Sequence, residues 1–184
     1  MTMKIPTLKY LFAAAGACIL SATPHLAMAA EPEAKPVACA DDANYQQHAF
    51  TVGKWDVLYG TIKAAEVRME PVLKGCAINE TWTQMGGRPG DGHGLFTYSR
   101  QLKSWHYLWA ADNGNATSFN GVMTKPGEML YVMSFPLPQG GKRIRHWTLT
   151  LQPDGHVREL SRGSDDDGKT WTTEYDLTWV KAAD

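Results

Sequence analysis

From Phe50 onward the chain alternates apolar and polar residues in short runs, interrupted by Gly, Pro, Asn and Asp clusters. Punctuation at roughly 8–15-residue intervals predicts an all-β sandwich or barrel. Strands are expected over 54–59, 63–70, 76–84, 93–100, 104–110, 116–123, 128–135, 143–151, 156–162 and 170–180. Turns are marked by Gly86 through Gly92, Asp112 through Asn115, Lys125-Pro126-Gly127, Pro138 through Gly141 and Pro153-Asp154-Gly155. The one helical element expected is a short turn from Asp41 to Gln47, with Asp41 as its N-cap. With neither an internal repeat nor an interior linker, residues 39–184 read as a single antiparallel barrel of about 8–10 strands.

Period-two alternation then assigns faces. Gly94, Phe96 and Tyr98 share a side, as do Trp105, Tyr107 and Trp109, and Met129, Tyr131, Met133 and Phe135. In the last strand Trp171, Thr173, Tyr175, Leu177 and Trp179 are expected to line up. Filling a core is the ordinary fate of any one of these rings. Seven Trp, seven Tyr and five Phe are more than a small core needs, which favours an aromatic-lined pocket for the set.

Polar residues on apolar faces carry the candidate chemistry. Glu80 shares its face with Cys76, Ile78 and Trp82. A carboxylate in such company must be paired or protonated, and desolvation would raise its pKa into a range useful for acid–base work. An ion pair with an arginine inside the barrel is the structural alternative. Glu159 alternates with Val157 and Ser161, opposite Arg158, Leu160 and Arg162. Were that face inward, two carboxylates would meet in one cavity, a usual arrangement for separate acid and base roles. The opposite facing would put Leu160 inward and Glu159 in solvent. Arg145, on the face of Trp147, Leu149 and Leu151, is the natural counter-ion for either glutamate, and His146 then lies on the surface.

Composition narrows the class. Of 184 residues 43% are hydrophobic and 20% charged, with a formal net charge of −1. Without a basic run, nucleic acid and polybasic membrane binding have no support. Residues 1–29 have the form of a cleaved signal peptide: Lys4 and Lys9, an apolar stretch from Tyr10 to Ala22, and Ala27-Met28-Ala29 as the cleavage site. Lipid attachment at Cys18 is a weaker alternative, because the residue three before it is not large and aliphatic. Residues 30–38 read as a flexible leader. Export would leave Cys39 and Cys76, which in an oxidising compartment suggest one disulfide, closing a loop of about 38 residues and adding about 3–4 kcal/mol. Two free thiols are the alternative. The mature chain is expected to have no transmembrane segment.

Familiar catalytic signatures are missing. The histidines show no metal-ligand spacing, and there is no GxSxG elbow, P-loop or Rossmann glycine pattern. No metal and no cofactor are expected. Ser164 through Trp171 fits SxDxGxTW, a hairpin in which Ser and Asp hold the turn while the Trp packs beneath; calcium binding by its three Asp is the lesser reading.

Several stretches together resemble an uncharacterised family of secreted bacterial lipocalin-like proteins. They are Cys39 with Tyr45-Gln46-Gln47, Phe50 with Gly53 through Val57, Gly75 through Trp82, Tyr98, Trp105 with Trp109, Asp154 through Arg158, and Ser164 through Trp171 followed by Asp176. The resemblance spans about residues 38–181 and implies a calycin-like barrel, a cysteine bridge and no established activity. Where the family pattern has Ser and Asn this chain has Gly94 and Phe96. Tyr107 replaces a Gln, Ala111 (with Asp112 next) an Asp, and Glu159 and Ser161 replace a Gln and a Trp. Those exchanges suggest a flat, largely apolar ligand with one polar group.

The expected function is therefore a periplasmic or secreted barrel that binds a small apolar or aromatic molecule. Its expected ligand-binding residues are Trp82, Phe96, Tyr98, Trp105, Tyr107, Trp109, Tyr131 and Arg145. Two alternatives stand beside it. One is a cofactor-free isomerase, hydratase or lyase with Glu80 and Glu159 as catalytic residues. The other is a barrel packed solid by its own side chains.

Overall fold

The structure, a computed structural model, describes residues 38–183. The expected signal peptide, Cys18 and all of the leader except Ala38 lie outside these residues. The strands are β1 Gly53–Tyr59, β2 Ile62–Val72, β3 Ala77–Gln84, β4 Gly92–Ser99, β5 Ser104–Ala111, β6 Ala116–Lys125, β7 Glu128–Pro136, β8 Lys142–Leu151, β9 Val157–Ser164 and β10 Thr172–Lys181. Each pairs antiparallel with the next, and β10 returns to β1 with Val57 opposite Trp179, closing a ten-stranded barrel. Closure leaves no unpaired strand edge. All ten strands arise where alternation and turn chemistry place them, within one or two residues at each end.

The up-and-down order divides the loops between two ends. One end, called the upper here, carries the turns 60–61, 85–91, 112–115, 137–141 and 165–171. At the lower end the segment before β1 forms a plug. Its helix α1 spans Ala43–Gln46 and is capped by Asp42, whose carboxylate accepts from the Asn44 amide at 3.0 Å. Asp41, the expected cap, sits instead in the preceding 3₁₀ turn Cys39–Asp41. His48 and Thr51 of the plug are fully buried. Trp105 Nε1 donates to Gln47 Oε1 at 3.0 Å and Trp55 Nε1 to the Thr51 carbonyl at 2.7 Å, so two core indoles hold the plug in place. Cys39 and Cys76 form a disulfide across 37 positions of sequence, fastening the plug to the start of β3. Gly75, at φ 83°, lets the chain pass close against Ala40 beside this bridge. A disulfide is what an oxidising compartment sustains. No helix among the described residues is long and apolar enough to cross a membrane.

One expectation about facing is overturned. The pairing of β10 with β9 shifts between Thr173 and Tyr175, with Glu174 as the extra residue of a β-bulge. Tyr175, Leu177 and Trp179 face inward as expected, but the bulge reverses the phase before them. Thr173, opposite the outward Arg162, is exposed. Trp171 precedes the strand and packs on the outside against His146, ring centroids 4.2 Å apart. His146 is thereby half-buried under an indole rather than fully on the surface. In the 165–171 turn the Ser164 hydroxyl accepts from the Gly168 amide at 2.8 Å, Asp166 accepts from the Thr170 amide at 2.8 Å, and Trp171 Nε1 donates to the Gly168 carbonyl at 3.0 Å. The SxDxGxTW motif thus forms a self-supporting hairpin.

Candidate functional site

The barrel interior has two tiers. In the lower tier, Phe96, Trp105 and Tyr131 pack with His48, Met129 and Leu149 and are buried throughout. Above it lies a cavity of about 860 Å³, open at the upper end, within the range of small-molecule sites. The interior is therefore not packed solid. Turns 85–91 and 112–115 contribute Arg88, Pro89, Asn113 and Asn115 to the rim, with Tyr59 and Ile62 from the first hairpin.

Four of the eight expected ligand-binding residues line this space: Trp82, Tyr107, Trp109 and Arg145. Phe96, Trp105 and Tyr131 belong to the lower tier, and Tyr98 packs edge-on against Tyr45 of the plug, centroids 5.5 Å apart. The wall also includes Phe119, Trp147 and Tyr175. Alternation from Tyr175 and from Arg145 already placed Tyr175 and Trp147 inward; Phe119 lay in a strand whose polar residues hid its facing. Trp82 and Trp109 meet edge to face, centroids 6.4 Å apart at 83°. Tyr107 stacks on Phe96 at 4.1 Å and leans on Trp147 at 4.8 Å, which fixes the plane of the phenol.

Both candidate carboxylates face the cavity. Glu80 is 2% exposed and Glu159 5%. Glu80 Oε2 accepts from the Tyr107 hydroxyl at 2.6 Å, across β4, where residue 94 is glycine. A Cβ at Gly94 would overlap both the carboxylate and the phenol, so the contact depends on its absence. Glu159 accepts two indole hydrogen bonds, from Trp147 Nε1 at 3.0 Å and Trp179 Nε1 at 2.8 Å. Burial pushes Glu80 up to about 8, against the pull of the Tyr107 hydrogen bond and helped by the nearby Glu159 charge. Burial likewise pushes Glu159 up to about 7, against the two indole hydrogen bonds and the pull of the Tyr175 hydroxyl. Near neutral pH the pair therefore holds protons that exposed carboxyls would have lost.

Arg145 does not pair with either glutamate. Its Nε donates to Glu174 Oε2 at 2.6 Å and its Nη2 to Oε1 at 3.2 Å. Glu174 also accepts from Ser161 Oγ at 2.7 Å and from Arg143 Nε at 3.0 Å, and Arg143 reaches on to Asp165 at 2.7 Å. Because Glu174 is the bulge residue, its side chain turns toward arginines that simple alternation would have left for Glu80 and Glu159. Among the described residues, the hydrogen-bond donors to the two cavity glutamates are all neutral.

No group of three or more His, Cys, Asp or Glu among the described residues is arranged to hold a metal ion. No known family model matches the chain, and no curated protein is similar enough to count as a relative.

Proposed function

We propose that this protein is an exported, lipocalin-like barrel that binds a small aromatic molecule in its upper cavity. The observation that carries this reading is an open cavity of about 860 Å³ walled by Trp82, Trp109, Tyr107 and Trp147, with two carboxyls as its buried polar groups. Apolar burial and ring stacking would supply most of the affinity, and the carboxyls would orient the ligand's polar end. Residues 1–29 would direct the chain to the periplasm or beyond, with cleavage after Ala29, and the Cys39–Cys76 bridge agrees with an oxidising destination. Native mass spectrometry of protein purified gently from its own compartment tests the binding. A small-molecule mass that disappears on denaturation is the expected result. Absence of such a mass, together with no binding to a panel of aromatic compounds, overturns the proposal.

A second reading, acid–base catalysis in the same cavity, is favoured by the raised pKa values of Glu80 and Glu159, at about 8 and about 7. One carboxyl would be protonated and the other ionised near pH 7.5, as an acid and base require. Glu80→Gln separates the two readings: a binding protein keeps its affinity for a neutral aromatic within a few-fold, whereas an enzyme loses turnover.

A further inference from the structure

Glu80 and Glu159 are both almost completely buried, yet neither has a basic partner among the described residues. Arg145, on the cavity wall in the same strand as Trp147, is held by Glu174 through two hydrogen bonds. At the rim, Lys63 is bound to Asp56 at 2.8 Å and Glu66 at 2.6 Å. Glu80 Oε2 is engaged by Tyr107, while its Oε1 accepts from no described residue. A buried carboxylate pair without a cation is costly, and a cation supplied from outside would remove that cost. Around the pair the walls are π-faces: Trp82, Trp109, Trp147, Tyr107, Phe119 and Tyr175. Rings attract cations through their quadrupoles, and two carboxyls among rings form a site selective for positive charge on a flat molecule.

We propose that the occupant of this cavity is an organic cation, a protonated aromatic amine, whose ammonium group is neutralised by Glu80 and Glu159 and whose ring stacks on the surrounding indoles. This rests on the aromatic-ligand reading above and adds the sign of the ligand's charge. An aromatic carboxylate beside the pair is disfavoured on the same grounds, since Arg145 on the wall is already taken by Glu174 and Arg88 lies out on the rim turn 85–91. The proposal has a proton signature. The titratable and charged groups facing the two carboxyls are Tyr107 on β5, Tyr131 on β7, Arg145 on β8 and Tyr175 on β10, with Glu174 behind Arg145; among the described residues the cavity lining from β1, β2, β4 and β6 has no other charged side chain than Lys63 of the rim. The tyrosines are raised well above their usual value and stay neutral, Arg145 and Glu174 compensate each other, and buried His48 below is pushed down to about 3 and is also neutral. Only Glu80 and Glu159 are left to change charge near neutral pH. A bound ammonium therefore expels a proton from the pair, and affinity falls by up to tenfold per pH unit as the pH drops from about 7 to 5.

The test compares cations with neutral isosteres on the full mature protein: tryptamine against tryptophol, and 9-aminoacridine against acridine, by calorimetry at pH 7.5 in buffers of different ionisation enthalpy. The expected result is amine binding at least tenfold tighter than its neutral partner, with proton release of up to one per ligand. Glu80→Gln and Glu159→Gln, both close in shape to the native side chains, should each weaken the amines by tenfold or more and leave the neutral partners within a few-fold. Neutral compounds binding as tightly as the amines overturn the cation assignment while leaving the aromatic-ligand reading intact. Failure of all four probes, together with the absence of any co-purifying small molecule, overturns both.

Discussion

Glu80 and Glu159 are carboxyls of one type in one cavity, yet different donors hold them. Glu80 has a single phenol at 2.6 Å and Glu159 two indoles at 2.8 and 3.0 Å. The stronger set lies on Glu159, in keeping with its lower value of about 7 against about 8. Both are raised from the 4.5 of an exposed glutamate, so between about pH 4.5 and 8 the native state binds more protons than the unfolded chain. Stability must therefore fall as the pH rises through that window, because the unfolded chain ionises first. A series of thermal melts from pH 5 to 9 should show Tm declining, and Glu80→Gln or Glu159→Gln should flatten the decline and exceed wild type at pH 8.5. A wild-type Tm that stays level over the same range would mean that the two carboxyls are ionised throughout. Glu80 was legible in the sequence because its neighbours at i±2 are apolar. Its partner Tyr107 was not, since cross-barrel contacts depend on which glycine lets two side chains approach.

At the scale of elements, the informative feature is the bulge in β10. Alternation located every strand because buried and exposed positions differ in polarity, and turn glycines and prolines marked their ends. A single extra residue leaves no mark of that kind. Glu174 sits among Thr and Tyr and reads as an ordinary outward position, yet its insertion exposes Thr173, puts Trp171 outside and supplies the partner of Arg143 and Arg145. The sequence reading accordingly had the right arginine and the wrong acid. Replacing Glu174 by Ala leaves the partly buried Arg145 without its carboxylate and Arg143 with Asp165 alone, and a loss of about 2–4 kcal/mol is expected from urea unfolding. The same change frees Arg145 at the cavity wall, so indole-3-propionate should bind the variant at least fivefold better than wild type in the calorimeter.

For the whole molecule, the division into a packed lower tier and an open upper one decides which aromatics can act on a ligand. Phe96, Tyr98, Trp105 and Tyr131 share inward faces with cavity residues but lie lower, among the plug residues. Position along the barrel axis depends on strand stagger, which no local pattern encodes. The plug is tied to the barrel by the Cys39–Cys76 bridge, Gln47 and the Thr51 carbonyl. Reducing the disulfide should lower unfolding stability by about 3–4 kcal/mol, read from urea midpoints with and without reductant. An unchanged midpoint would mean that the packing of His48 and Thr51 and the two indole hydrogen bonds hold the plug without the bridge.

That plug also has a kinetic consequence. A vessel shut at one end has one route for arrival and departure, so whatever obstructs the rim slows both by the same factor. Tyr59 and Ile62, 61% and 69% exposed beside the opening, therefore act on how long a ligand stays and how fast it comes, while the equilibrium between bound and free is set by the groups below them.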